Sequence, residues 1–319
     1  MSDLNNPVFS ALLPVVLLIG IGFIAGRAGW IRAEAIKDLS NLVFMVLTPA
    51  LLFRTMSTVH VEQLNFKPVA MYFVAALLLF AGMLVWQGWS RRAAVLALAA
   101  TFSNTVMIGI PLIGLAYGQP GLVTLFTLIS VHALILLTLA TIVLEMVAAR
   151  EEQAAGIGGQ RHMAMTVLSA IKGGIIHPVP LPIIVGLLFA QTGLVMPDVL
   201  DKPLHLLGSA FGPMALVLVG VTLTQVQVGP HLKSALGISL LKNMALPSLV
   251  AALGLGLGMA GLPLAVMIVT ASLPIGANVF LFAQRYEVAQ DLVTASMAVS
   301  TVLGLATITL VMSLVNWWV

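Results

Sequence analysis

Apolar residues follow one another in runs of about 20, broken by short polar or Gly- and Pro-containing segments, and nothing else in this sequence restricts the fold as severely. The runs fall at about 7–26, 39–56, 68–89, 93–117, 121–148, 174–192, 203–225, 232–259, 262–284 and 290–317. They are continuously apolar rather than alternating, which argues against the strands of a membrane barrel. A helix pairs its own backbone groups, so in lipid each run is expected to be helical. Composition agrees: 60% of the 319 residues are hydrophobic and 8% are charged, with a mean hydropathy of +1.11, far outside the soluble range. The expected fold class is an all-α polytopic membrane protein with ten transmembrane helices.

The sequence pI near 9.5 is that of a membrane protein whose few charges sit in loops, not of a nucleic-acid binder. No Cys is present, which excludes thiol chemistry, disulfides and Cys-held metal. The start, MSDLNNPVFS, lacks the basic stretch of a signal peptide, so the first run is expected to remain as a span. With the N-terminus outside, the inner loops carry Arg27, Arg32, Lys37, Arg91, Arg92, Arg150, Arg161, Lys172, Lys233 and Arg285. The outer loops carry only Arg54, Lys67 and Lys202. That bias orients both termini toward the periplasm or exterior. Trp86 and Trp89 beside Arg91 and Arg92, and Trp317 with Trp318, suit interfacial anchoring.

The two halves echo each other. At one common displacement Pro14, Gly22, Gly29 and Pro49 meet Pro178, Gly186, Gly193 and Pro213. At slightly larger displacements Thr101, Ser103 and Tyr117 meet Thr270, Ser272 and Tyr286, and Leu122 and Ser130 meet Leu292 and Ser300. The domains expected are residues 1–150, a first five-helix repeat, residues 151–173, a Gly-rich cytoplasmic linker, and residues 174–319, a second repeat. Five spans is an odd number, so the second repeat enters the membrane inverted.

Spans 4 and 9 are each interrupted. TFSNTVMIGIPLIGLAYG and TASLPIGANVFLFAQRY both carry Ser, Asn, Gly and Pro within an apolar run. Pro removes a backbone hydrogen bond and Gly favours non-helical geometry, which points to helix breaks at Gly109 and Pro111 and at Pro274. A lone Gly or Pro in a membrane helix is usually a simple kink; two interruptions at related depth are not explained that way. Groups freed by a break must be buried in protein or face a wet cavity. The N-termini of the two second half-helices would converge at the midplane and favour an anion, most simply a carboxylate. Asn104 and Asn278, which do not align in the repeat, would add amide donors beside Ser103, Thr105, Gly276 and Ala277.

No Asp or Glu lies deep in a span, Glu145 coming nearest, so no carboxylate proton relay is visible. His132 is mid-span: it is a candidate to carry a coupling proton, and equally a neutral His bonded to a neighbouring helix. Lys242 and Asn243 in span 8 read as a snorkelling Lys or the cover of a polar seam; His177 and His205 read as interfacial. No metalloprotease, serine-hydrolase or phosphate-loop motif occurs, so an enzyme is not expected, and no cofactor or metal is called for.

SNTVMIGIPL, LPIGANVFLFAQRY and TPALLF in span 2, with the ten-span layout, resemble the auxin efflux carrier family, which includes plant PIN auxin carriers and bacterial malonate-type carriers. The resemblance covers essentially the whole chain. It implies two inverted five-helix repeats, crossing broken helices 4 and 9, and elevator-like transport of organic anions across a bacterial cytoplasmic membrane. It also implies a dimerising scaffold of spans 1, 2, 6 and 7, with the remaining spans moving as a transport unit. By position Asn104 resembles the family's crossover Asn and Pro274 its second crossover Pro, while Thr48 and Leu52 fall where span 2 lines the family's pocket. Plant carriers have Pro immediately before the crossover Asn; Ser103 stands there in this chain. Two rival readings remain: a sodium-coupled symporter of the bile-acid type, with carbonyls at the breaks holding the ion, and, more remotely, an intramembrane enzyme or sensor.

Overall fold

The computed structural model describes residues 7–154, 165, 168, 171–172 and 178–315. The expectations for most of the linker (with Arg161), for His177 and for the Trp317–Trp318 anchor lie outside the described residues. The described chain is helical: α1 (Pro7–Arg27), α2 (Ala35–Leu42), α3 (Thr48–Met56), α4 (Phe66–Gln87), α5 (Arg91–Thr101), α6 (Ile110–Ala154), α7 (Pro180–Gln191), α8 (Asp198–Leu223), α9 (Leu232–Leu240), α10 (Leu246–Gly256), α11 (Leu262–Ser272), α12 (Asn278–Arg285) and α13 (Gln290–Val315). Seven helical segments are long and apolar enough to cross a membrane, while Pro180–Gln191 and Leu262–Ser272 are apolar but shorter. The protein is thus a multi-pass membrane protein. The long α6 bends at Gly118, whose φ of 60° and ψ of −153° only Gly adopts without strain, and Pro120 follows at once.

Three π-helical turns, at Val43–Leu47, Thr105–Gly109 and Leu241–Ala245, are interposed before α3, α6 and α10. Each is followed by a residue and then Pro: Thr48–Pro49, Ile110–Pro111 and Leu246–Pro247. A Pro ring clashes with the carbonyl four residues back and offers no N–H. A wider turn, bonded one residue further back, relieves both problems. The N–H of Thr48 accordingly donates to Val43 O, and that of Leu246 to Leu241 O. The Thr48 hydroxyl also donates to Val43 O at 2.7 Å. Neither the turn in span 2 nor that in span 8 was expected from the sequence.

Two groups of helix contacts stand out, and α1 also meets α6 and α13 across them. In one, α1 lies along α8, and α3 lies against α7 and α8; in the other, α4 packs on α5 and α10, and α11 on α6, α10 and α13. Ser90 caps α5, its side chain accepting from the N–H of Ala93. Arg91 of α5 pairs with Glu151 of α6 at 2.6 Å, and Arg150 stands over the Trp89 ring. The expected inner ends of these helices are thereby tied together.

The α1–α8 contact depends on two glycines. A Cβ on Gly22 would overlap the carbonyl of Val217, and one on Gly220 the carbonyl of Ile19, so backbones meet where side chains would hold them apart. Gly220→Ala should therefore destabilise the fold by about 3 kcal/mol, the upper end for overpacking, because only backbone can yield. Gly82→Ala on α4, where a Cβ meets nothing within 4 Å, should be neutral or slightly stabilising. Thermal unfolding in detergent, read by monodisperse recovery, compares the two; equal unfolding temperatures would remove the close-contact argument.

Candidate functional site

Helix α5 stops at Thr101, and Phe102 follows with φ −90° and ψ 108°. Helix α11 stops at Ser272, and Leu273 follows with φ −60° and ψ 153°. The two extended segments lie side by side, antiparallel, with Ser103 opposite Ile275. Asn104 N–H donates to Pro274 O at 2.8 Å, and Gly276 N–H donates to Phe102 O at 2.9 Å. Each interrupted helix thus pairs groups that the other leaves free. In lipid, an unpaired backbone group costs several kcal/mol, so the two interruptions stabilise each other.

The first interruption is not where the residue types pointed. Phe102, Ser103 and Asn104 are the non-helical residues, whereas Gly109 ends the π turn and Pro111 sits in the first turn of α6. Pro111 does not break the helix, because the π turn that precedes it accommodates its ring and its missing N–H. Gly109 serves packing instead, since a Cβ there would come within 2.8 Å of the Leu273 side chain. Pro274 does lie in the second interruption. Ser103 answers a separate question, because the bridge uses the N–H groups of its neighbours and not its own. Pro at this place would leave the pairing intact. The Ser103 hydroxyl is used elsewhere, 2.9 Å from that of Tyr72.

A cavity of about 230 Å³ opens beside the bridge. Ser103, Asn104, Thr105, Gly276, Ala277, Asn278 and His132 all line it. Thr48 and Leu52 do not; both are fully buried, and span 2 contributes Ser40, Asn41, Phe44 and Met45 instead. Asn104 caps the π turn, its Oδ1 accepting from Met107 N–H at 3.2 Å, and its NH₂ group meets no acceptor among the described residues. The N–H groups of Val106, Ala277 and Asn278 meet no acceptor among the described residues, and all three residues line the cavity. These are the orphan donors of helix starts. No Asp, Glu, Lys or Arg is among the described residues of the lining. Its electrostatics are those of neutral dipoles, with the positive ends of two helix starts at one place.

His132 is 2% exposed, with Nε2 3.4 Å from the Tyr72 hydroxyl and its ring 4.6 Å from that of Phe102, centre to centre. His132 thus has a hydrogen-bond partner on a neighbouring helix. Tyr72 thereby touches both Ser103 and His132, a link the sequence did not disclose, because a Tyr in span 3 reads as one more apolar residue. Lys242 meets the second of its two readings, the polar seam. It does not snorkel: it is 0% exposed and donates to Ala271 O and Leu273 O, each at 2.7 Å. Its neighbour Asn243 donates to Ser300 O at 2.8 Å. Glu145, the acid nearest membrane depth, is buried and accepts from Tyr286 at 2.8 Å.

Residues 7–312 match the family model described as "Membrane transport protein". The chain belongs to that family. A relative described as "Putative malonate transporter", from Rhizobium meliloti (strain 1021), is 26% identical over 306 residues, covering 93% of this chain and 92% of its own. "Auxin efflux carrier component 8" of Arabidopsis thaliana is 22% identical over 348 residues, covering 94% and 95%. Both matches run nearly end to end, and they bear out the resemblance to the auxin efflux carrier family drawn from SNTVMIGIPL and LPIGANVFLFAQRY.

Proposed function

We propose that the protein is a secondary transporter that binds a small organic carboxylate between the two interrupted helices and carries it across the membrane by elevator-type alternating access. The observation that carries this reading is the set of unpaired N–H donors at Val106, Ala277 and Asn278, joined by the Asn104 amide, around a cavity whose described lining has no acid. Neutral donors suit a transporter because they hold an anion without the full charge of a Lys or Arg, which would slow release. The relatives' names specify malonate and auxin, both carboxylic acids.

In this reading the chain makes ten crossings. The stretch α5, π turn and start of α6 forms the fourth, α6 beyond Gly118 the fifth, and α11 with α12 the ninth. The two halves are inverted repeats, and the broken fourth and ninth crossings meet at the midplane. The α1–α3, α7 and α8 set is the scaffold and the homodimer contact; the other helices move against it. Both termini face the periplasm of a bacterial inner membrane.

Purified protein in proteoliposomes, screened by counterflow against dicarboxylates, aromatic acids and amino acids, tests the reading. Saturable exchange of a carboxylate is expected. Chemical conversion without net flux, or flux of cations only, would overturn it.

A further inference from the structure

The carbonyls of Ala271 and Leu273 stand at the C-terminal end of α11, where helix geometry stops and the last carbonyls lose their helical partners. They carry the negative end of the helix dipole. In discontinuous membrane helices such carbonyls are the groups that coordinate a monovalent ion. Here Lys242 Nζ stands 2.7 Å from each. Lys242 is fully buried, and no carboxylate pairs with it among the described residues. Its partner is a helix end rather than an acid.

Local structure explains how a Lys reaches that place. The π turn at Leu241–Ala245 inserts an extra residue into the helical turn, and both Lys242 and Asn243 are 0% exposed. They meet different helices: Lys242 holds the end of α11, while Asn243 donates to Ser300 O and Thr307 of α13. Ser300 in turn accepts from Ile275 N–H at 3.1 Å. The segment from Ala271 to Gly276 is thus fixed from behind by Lys242 and Ser300, and from the front by the bridge to Phe102 and Asn104. Ala277 and Asn278, with their unpaired N–H groups, follow directly.

We propose that Lys242 is a tethered cation: its ammonium occupies the place at the end of α11 that a sodium ion would take, so anion transport proceeds without sodium. The inference rests on the reading of this interruption as part of the transport site. Lys242 is a positioning residue, acting on substrate through the 273–278 backbone. It also discriminates between proton-driven or uncoupled transport and the sodium-symport alternative, because the carbonyls such an ion would need are already engaged.

Three measurements test this. Initial uptake rates of the wild type in sodium, potassium and choline media should agree within about twofold; loss of transport in choline would overturn the proposal. Lys242→Ala should lower the rate on the order of 100-fold, the loss of two charge-assisted hydrogen bonds. Millimolar propylammonium should restore part of that rate and n-propanol none. Equal recovery with both would show a cavity-filling role only and overturn the tethered cation. Amide exchange needs no substrate: in Lys242→Ala the Gly276 and Asn104 amides should exchange faster, and propylammonium or sodium should slow them. If Lys242→Ala does not fold, Lys242→Met takes its place. Wild-type rates and exchange in Lys242→Met would overturn the proposal. The exchange readout decides the role of Lys242 even if Asn104 and Asn278 prove unconnected with an anion.

Discussion

A protein carrying both Asn104→Ala and Asn278→Ala should lose anion flux by at least about 100-fold in proteoliposomes while reaching the membrane at normal levels. A hydrogen bond to a charged group contributes about 1.5–3 kcal/mol, and each 1.4 kcal/mol is tenfold in affinity. Losing two amide donors to the proposed carboxylate therefore costs about 3 kcal/mol or more, at least about 100-fold, even with the backbone N–H groups of Val106, Ala277 and Asn278 still in place. The Asn104→Ala change also removes a cap, at about 1 kcal/mol of local stability, because Asn104 Oδ1 accepts from Met107 N–H. Asn104→Asp separates the two roles. It keeps an acceptor for the cap but replaces the NH₂ donor with a negative charge, so it should leave unfolding temperature near wild type and abolish flux. Full transport in the double Ala variant would remove the midplane site.

Much of this architecture is written in residue types, because lipid permits so few solutions. A run such as Phe66–Gln87, apolar from Pro68 to Trp86 and capped by Asn65, has helix as its only satisfied backbone state. The two interruptions were legible for the same reason, since Ser, Asn, Gly and Pro clustered together within an apolar run serve a plain helix poorly. Their exact geometry was not. Pro111 looked like the breaker in span 4, yet the π turn before it accommodates it within a continuing helix, and the chain departs from helix at Phe102 and Ser103, residues with no breaking tendency of their own. What straightens them is pairing with Pro274 and Gly276, some 170 positions away, and no local pattern encodes that partner.

The supports behind the interruptions were hidden for a different reason. Lys242 and Tyr72 are each ordinary near a membrane, where a long amine snorkels and a Tyr hydroxyl finds headgroups. Only burial distinguishes a Lys that caps a helix end from one that reaches for water. A sequence signal was present in retrospect: Leu246–Pro247 follows Lys242 and Asn243 as Thr48–Pro49 follows Phe44, and in both places the turn before the Pro widens. Thr48 and Leu52, placed at the pocket by resemblance, lie on the far side of such a turn. The extra residue moves the wall of the cavity back to Ser40, Asn41, Phe44 and Met45.

The same pairing makes Gly276 the position where one methyl group should matter most. A Cβ there would come within 2.7 Å of Phe102 Cδ1 and 3.0 Å of Ser103 O, so Ala cannot enter without moving the other interruption. Phe102 cannot simply turn aside, because its ring packs against His132. Gly276→Ala should therefore cut transport by about 10- to 100-fold, the cost of about 1–3 kcal/mol of overpacking expressed at the site. Global stability should change less, since the long helices away from the crossing do not depend on it. Shortening the obstructing ring supplies the decisive control. Gly276→Ala with Phe102→Leu should recover most of the lost rate, a coupling of about 1–2 kcal/mol between residues in contact. Phe102→Leu alone should have a smaller effect than Gly276→Ala. If the two substitutions instead add independently, the crossing of the interrupted segments is not what sets the rate, and the site must be sought elsewhere in the cavity wall.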